Sequence, residues 1–260
     1  MNIRLKSIFI IMPFFMIFIF SLFYAEGRDY QLTNNNVSIE FHNDSTILVK
    51  ESITYNFEGC FSEVYRNINI QIVNSENVYS MLESSNEPFA VISDINCNPE
   101  CQAIERPNEI AGNFGNICDQ EAKFNVAYNI YKGVVVGQDV AEFHYKILGE
   151  EWDKPLENLN GEIILPINPD GVYFNPSNII NYSLENNVIT FSGKPGNSYV
   201  EVRVLMPKEG YLGSISNQYY LTNENLKKED ITKIQEDYKI NYTLVTVISI
   251  VFMLVILFFI

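Results

Sequence analysis

The feature that most constrains the fold is a two-residue alternation in the stretch TILVKESITYNFEGCFSEVYR (residues 46–66). Apolar side chains occupy every second position and mostly polar ones lie between them; the apolar set is Ile47, Val49, Ile53, Tyr55 and Phe57. Successive side chains of a strand point to opposite faces of a sheet, so this pattern predicts a half-buried β-strand.

Glu51 occupies an inward position of this predicted strand, between Val49 and Ile53. An unpaired carboxylate is costly to bury, so we expect a partner, and Arg66 is available shortly after the strand. Buried charges are normally paired, which favours a structural Glu51–Arg66 ion pair over a catalytic role for Glu51.

The same alternation recurs at residues 124–130, 143–147 and 200–206, with shorter apolar runs at 162–167 and 188–191. Turn-forming residues separate the runs, as in Asn168-Pro169-Asp170-Gly171. Short strands at hairpin spacing, without a βαβ rhythm, predict a mainly β fold. We expect an antiparallel β-sandwich, with either one large sandwich or two small ones.

Both ends of the chain are hydrophobic. Residues 1–27 begin with basic side chains and continue into an apolar run, which predicts a secretory signal peptide or an uncleaved signal anchor. Residues 242–260 form a nearly pure apolar run that approaches the length needed to span a bilayer. The positive charges near the N-terminus orient residues 28–221 to the extracytoplasmic side of a cell membrane.

The segment that precedes the C-terminal run, residues 222–241, is charged and carries an apolar stripe at helical spacing. It predicts a juxtamembrane helix or stalk, with Thr222 as a candidate N-cap. A solvated linker is the alternative. The lipid bilayer is therefore an expected partner of the chain.

The four cysteines fall in the predicted exported domain and are disulfide candidates: Cys60, Cys97, Cys101 and Cys118. An even number in an oxidising compartment favours two disulfides, and the sequence leaves three pairings open. A four-thiolate zinc site is the rival interpretation, although only Cys97 and Cys101 have suitable spacing. Four sequons offer candidate glycosylation sites: Asn36, Asn43, Asn181 and Asn241.

Few residues in the sequence indicate catalysis. The chain has two histidines, and His144 falls on the polar face of its predicted strand. The usual motifs of serine hydrolases, zinc proteases and P-loop enzymes are missing from the sequence. We therefore predict no catalytic residues, no metal site and no cofactor. A net charge of −15 also disfavours nucleic-acid binding.

Two stretches resemble a known family. ILVKESITYNFEGCFSEVYRNI and AEFHYKILGEEWDKPLENLNGEIILP are similar to the predicted membrane proteins of domain of unknown function 2207. The matching positions of the first stretch are Val49, Glu51, Ile53, Tyr55, Phe57, Tyr65, Arg66 and Ile68. Those of the second stretch are Glu142, Gly149, Trp152, Asp153, Pro155, Leu165 and Pro166. The resemblance covers about Asp29 to Pro207 and implies an extracytoplasmic all-β domain, without implying an activity.

These observations predict a membrane-anchored, extracytoplasmic binding or assembly module whose partner is another envelope or membrane protein. An envelope enzyme that acts on glycans through a pair of carboxylates, chosen from Glu51, Glu63 and Glu142, is the alternative. A non-catalytic subunit of a membrane sensor or transport complex is a third interpretation. Trp152, the single tryptophan, is expected to be a buried plug of the core, with an exposed interaction residue as the alternative.

Overall fold

The structure is a computed structural model that describes residues 27–68, 71–72, 90–103, 109–150, 152–217 and 219–238, together with residues 245 and 247. Its first eight strands are β1 (Asp29–Phe41), β2 (Ile47–Glu58), β3 (Cys60–Asn67), β4 (Gln71–Ile72), β5 (Val91–Asn98), β6 (Cys101–Ala103), β7 (Glu109–Cys118) and β8 (Glu121–Tyr131). Those that follow are β9 (Val134–Val136), β10 (Val140–Leu148), β11 (Leu156–Ile164), β12 (Gly171–Asn175), β13 (Ile180–Glu185), β14 (Val188–Gly193), β15 (Val200–Pro207) and β16 (Leu221–Thr222). Helix α1 spans Lys208–Ser214, and residues 228–238 form α2.

The strands form three sheets, which confirms the prediction of a mainly β fold. The largest sheet has eight strands in the order β13-β14-β11-β1-β2-β8-β5-β4. A second sheet has the order β12-β15-β10-β9-β16, and a third has the order β3-β7-β6. We expected purely antiparallel pairing, but three pairs of strands are parallel: β1 with β11, β4 with β5, and β16 with β9.

The three sheets share one hydrophobic core. Phe41 of the eight-stranded sheet meets Phe143 of the five-stranded sheet, with ring centroids 5.0 Å apart. Phe57 of the eight-stranded sheet stacks on Phe61 of the three-stranded sheet at 4.6 Å. One face of the eight-stranded sheet is therefore covered jointly by the two smaller sheets, which bury the inward set predicted for β2.

A sharp corner generates the three-stranded sheet. The eight-stranded sheet contains the neighbours β2-β8-β5, and the three-stranded sheet has the order β3-β7-β6. Each strand of the smaller sheet is adjacent in the chain to the strand at the same place in the larger one: β3 follows β2, β7 precedes β8, and β6 follows β5. Gly59 turns the chain between β2 and β3 with φ +83°, a conformation that favours glycine. Its N–H donates to the Asp119 carboxylate at 2.6 Å, and the Cys60–Cys118 disulfide follows directly. The corner is thus fixed by both hydrogen bonding and a covalent cross-link.

Helix α2 packs on the outer side of the five-stranded sheet. Ile231 is buried against Val140 and Leu205, and the side-chain amide of Asn175 donates a hydrogen bond to Gln235 Oε1 at 3.1 Å. The helix begins at residue 228 rather than near Thr222, because Thr222 belongs to β16 and pairs with Val136. The prediction that Thr222 caps the helix is therefore wrong.

Within the described part of the chain, no helix combines the length and the apolar character needed to cross a membrane. The predicted signal or anchor at 1–27 and the predicted span at 242–260 lie outside the described residues, apart from Gly27, Val245 and Val247.

Candidate functional site

The centre of the candidate site is a buried ion pair between two strands that the corner folds over each other. Arg66 Nε lies 3.0 Å from Glu51 Oε2, and Arg66 Nη2 lies 3.0 Å from Glu51 Oε1. Both residues are at most 3% exposed. The structure thus brings together the two residues that the sequence suggested as partners, and two charges neutralise each other inside the core.

Neutral partners complete the hydrogen bonding of this pair. The Tyr128 hydroxyl donates to Glu51 Oε1 at 2.8 Å, and the Asn35 amide donates to Oε2 at 3.3 Å. The Arg66 guanidinium also donates to the Ile147 carbonyl at 3.0 Å, and the hydroxyls of Tyr128 and Tyr145 are 2.5 Å apart. Because all three sheets contribute to this network, it fixes their relative positions.

The environment sets the protonation of these groups. Burial alone would lower the pKa of Arg66, but the neighbouring Glu51 charge raises that pKa above its usual value. Burial and the charge of Glu51 raise the pKa of both Tyr128 and Tyr145. Arg66 therefore stays charged, and the two tyrosines stay protonated at neutral pH.

Trp152 connects this network to the protein surface. The Arg66 guanidinium lies 5.4 Å from the centre of the Trp152 ring, within the range of a cation–π contact. Trp152 is half-buried and packs against the core, so it is neither a fully buried plug nor a free surface residue.

Trp152 lies at the edge of a cleft of about 690 Å³. Six aromatic side chains account for much of its wall, and we call it the aromatic cleft: Tyr30, Tyr55, Phe57, Phe61, Tyr65 and Trp152. The rings support one another, since Tyr30 meets Tyr55 and Phe61 at 5.9 Å each. Tyr65 is 51% exposed, so part of this aromatic surface faces solvent.

Charged side chains surround the aromatic cleft. Arg28 lies over the Phe61 ring at 5.9 Å, and Glu63 and Asp153 add two carboxylates. Glu63 accepts a hydrogen bond from the Tyr65 hydroxyl at 2.7 Å. The surroundings therefore offer both charge signs next to an aromatic surface.

The structure brings both stretches that carry the family resemblance to this place. Tyr55, Phe57, Tyr65, Trp152 and Asp153 all line the aromatic cleft. Other motif residues are elsewhere: Glu142 lies on β10 as an ion-pair partner of Arg203, while Gly149, Pro155 and Pro166 lie in or near the segments that flank β11.

The carboxylates considered for catalysis each have a different partner. Glu51 binds Arg66, Glu63 binds Tyr65, and the Glu142 carboxylate lies 3.1 Å from Arg203 Nε. His144 is an exposed strand residue, 3.4 Å from Glu201. Among the described residues there is no cluster of histidine, cysteine and acidic side chains suited to a metal ion.

The cysteines and sequons are distributed over other surfaces. The structure joins Cys60 to Cys118, and Cys97 is also disulfide-bonded; the side chain of Cys101 is outside the described residues. Asn36, Asn43 and Asn181 are exposed on β1, on the turn after β1 and on β13, whereas Asn241 is outside the described residues.

Sequence reasoning did not identify Arg28, Tyr30 and Phe61 as site residues. Tyr30 belongs to β1, whose alternation is interrupted by a bulge between Leu32 and Asn34. Phe61 reaches the cleft because the corner at Gly59 turns β3 back over β2. The sequence signal that could have indicated this contact is Gly59, which lies between two strand-like runs that carry Phe57 and Phe61.

These features define a mainly β domain with an aromatic cleft beside a buried ion pair. The family model described as "Predicted membrane protein (DUF2207) N-terminal domain" matches residues 31–216. The chain belongs to this family, as the resemblance of its two stretches indicated, and the family description places it at a membrane. No curated protein matches the chain.

Among solved structures, the chain is similar to an M1 zinc metallopeptidase from Deinococcus radiodurans, with 6% sequence identity and a TM-score of 0.36. The match covers 67% of this chain and 42% of that chain. A mutant of that enzyme bound to a Tyr-Ser-Ala substrate matches with the same coverage, 6% identity and a TM-score of 0.35. The chain thus spans less than half of these proteins, and similarity at this level supports no statement about its function.

Proposed function

We propose that the chain is a non-catalytic binding module of the cell membrane. In this proposal a β-sandwich domain lies on the extracytoplasmic side, and its aromatic cleft binds a segment of another envelope or membrane protein. The partly exposed aromatic surface beside Trp152 is the observation that supports it. Tyrosine, tryptophan and arginine are enriched where proteins bind one another, because they combine large contact area with polar groups.

Binding agrees better than catalysis with the chemistry of the buried network. Glu51 accepts hydrogen bonds from Arg66, Tyr128 and Asn35, and it is 3% exposed. A general acid or nucleophile must reach the atom on which it acts, and Glu51 is enclosed by its partners. Its role in the proposal is to hold Arg66, and Arg66 in turn supports the Trp152 ring.

The surroundings of the cleft indicate the chemistry of the bound segment. Rings favour an apolar or aromatic side chain as the anchor, and the carboxylates of Glu63 and Asp153 favour a basic side chain beside it. The net charge of −15 also attracts cationic segments at a distance.

Site-specific photo-cross-linking in native membranes tests this proposal. A photoreactive amino acid replaces Tyr65, which lines the cleft, and in a matched control it replaces Tyr238, which is 43% exposed on α2. We expect a defined protein adduct from position 65 that is missing from position 238. The same adduct from both positions, or no adduct from position 65, contradicts binding in the cleft.

Fluorescence then tests the captured segment directly. Trp152 is the only tryptophan, so a peptide that covers the cross-linked site should change the emission of the purified chain upon binding. Phe61→Asp places a carboxylate in the aromatic wall, and we expect it to abolish this change. A peptide that binds without altering Trp152 emission shows that the partner occupies another surface.

A further inference from the structure

The eight-stranded sheet ends at a strand that is open to pairing. Within the described residues, β13 pairs only with β14, and all its residues after Ile180 are exposed. Natural sheets protect such edges with charged side chains, proline or bulges, and β13 (INYSLE) has no lysine or proline, no bulge in its register with β14, and one charged residue, Glu185, at its end. The edge strand β12 of the neighbouring sheet is better protected: proline precedes and follows it, and the Tyr182 hydroxyl donates to the Val172 carbonyl at 3.1 Å.

The turn after β13 determines which backbone groups face outward. Asn186 and Asn187 both have positive φ angles, 48° and 65°, which identify a two-residue hairpin turn with the hydrogen-bonded pair Glu185–Val188 at its base. Hydrogen-bonded and non-hydrogen-bonded positions alternate along an antiparallel pair, so Ser183 bonds to β14. The N–H and C=O groups of Tyr182 and Leu184 consequently point away from the sheet.

We propose that β13 pairs antiparallel with β13 of a second copy of this chain, about a two-fold axis at Ser183. In this register Tyr182 lies opposite Leu184 of the second copy, and Asn181 lies opposite Glu185. The outward backbone groups of Tyr182 and Leu184 meet as hydrogen-bonded pairs, and the two Ser183 residues form a non-hydrogen-bonded pair. The eight-stranded sheets of the two copies then form one continuous sheet.

The side chains of the edge are self-complementary in this register. Tyr182 and Leu184 point to the same side of β13 and are 48% and 39% exposed, although the Tyr182 ring also packs on Phe174 of its own chain, with ring centroids 5.4 Å apart. In this register the remaining exposed surface of each side chain lies against the other across the axis. Centring the pair on Leu184 instead would place Tyr182 opposite the Asn186 turn residue. Of these two registers, the one centred on Ser183 places the two exposed side chains, Tyr182 and Leu184, opposite each other.

The membrane supplies the concentration that a short edge needs. One strand pair buries less surface than a typical stable interface between freely diffusing proteins. Copies that share a membrane surface meet at a raised effective concentration, which favours weak symmetric pairing without further contacts. We therefore expect the pair in membranes rather than in dilute detergent solution.

Disulfide trapping of the full-length chain in native membranes tests the register. Ser183→Cys places two thiols on residues about 4.5 Å apart between Cα atoms, within the range of a disulfide. Thr190→Cys is the matched control, exposed on the same face of the adjacent strand, where the two thiols are three strand spacings apart, about 14 Å. No described cysteine of the native chain is free to compete.

We expect mild oxidation to give about tenfold more covalent dimer from Ser183→Cys than from Thr190→Cys. Adding Leu184→Pro removes an outward N–H that β14 does not use, and it should abolish the dimer. Unchanged Trp152 emission verifies that the variants are folded. Equal trapping of both cysteines, no dimer from Ser183→Cys, or its cross-linking to a different protein overturns the proposal.

Discussion

Arg66 and Glu51 lie seven residues after and eight residues before Gly59, and their side chains meet with Nε and Oε2 3.0 Å apart. The corner at Gly59 thus places β3 over the strand that precedes it. The ion pair serves as the polar contact of this fold-over, and Phe57 and Phe61 provide the apolar one at 4.6 Å. The three-stranded sheet and the aromatic cleft both depend on these contacts.

The first prediction concerns this ion pair. Glu51→Gln leaves the Arg66 charge buried without its counter-ion, so we expect the free energy of unfolding to fall by about 3–5 kcal/mol. Urea unfolding of the full-length chain, followed by Trp152 emission, measures the change. Glu157→Gln is the control, because Glu157 is exposed on β11, and it should alter the stability by less than about 0.5 kcal/mol. Equal stability of both variants contradicts the role assigned to the pair.

The second prediction concerns the attachment of α2. Ile231 is 1% exposed between Val140 and Leu205, whereas Ile234 on the same helix is 45% exposed. Ile231→Ala should cost about 2–4 kcal/mol of packing and speed hydrogen exchange across residues 228–238. Ile234→Ala should leave the exchange of this segment unchanged. Similar exchange in the two variants would show that α2 is held by other contacts.

The third prediction concerns alkaline pH. Burial raises the pKa of Tyr55, Tyr128 and Tyr145 above the ordinary value of about 10. Above that pH the unfolded chain loses tyrosine protons that the folded chain retains, so the free energy of unfolding falls as pH rises. We expect the contribution of these tyrosines to the free energy of unfolding to be constant around neutral pH and to decline beyond about pH 10.

Urea titrations at a series of alkaline pH values measure this slope. Tyr145→Phe removes one of the shifted groups, so its stability should decline less steeply with pH than that of the native chain, whatever its stability at neutral pH. An identical slope in both proteins would mean that Tyr145 titrates in the folded state as it does in the unfolded one.

The fourth prediction concerns the disulfide at the corner. Replacing both Cys60 and Cys118 with serine opens a cross-link between residues separated by 58 positions. Loss of a disulfide that closes such a loop lowers the free energy of unfolding by about 2–4 kcal/mol. Thermal unfolding before and after the double substitution measures the loss. A chain that keeps its full stability would indicate that the hydrogen bonds around Gly59 suffice to hold the corner.

Local sequence patterns predicted the strands whose inward positions are apolar. The burial of β8 and β10 follows the alternation read from the sequence. Glu51 was recognised because a carboxylate in an inward position requires a partner. These predictions needed only neighbouring residues.

The strand β1 and the cleft depend on contacts between distant residues. Asn35 occupies an inward position of β1 and is buried with its amide donating to Glu51, so the apolar alternation at Val37, Ile39 and Phe41 does not continue into the first half of the strand. A bulge after Leu32 shifts the phase further. The aromatic cleft combines residues from β1, β2, β3 and the segment around Trp152, and no local pattern relates these positions. Parallel pairing likewise has no short-range signature.

The position of β1 also determines when the domain can be completed. Although β1 comes first in the described chain, it lies inside the eight-stranded sheet between β2 and β11, and Ser38 meets Glu162 across 124 residues. During synthesis, β1 can pair with β2 early, but its other edge remains open until β11 has emerged. Closing so distant a pair is entropically slow, so the nascent chain carries an exposed edge while the residues between β1 and β11 are synthesised. Protection of that edge from other chains is therefore a requirement of biogenesis rather than of the finished protein.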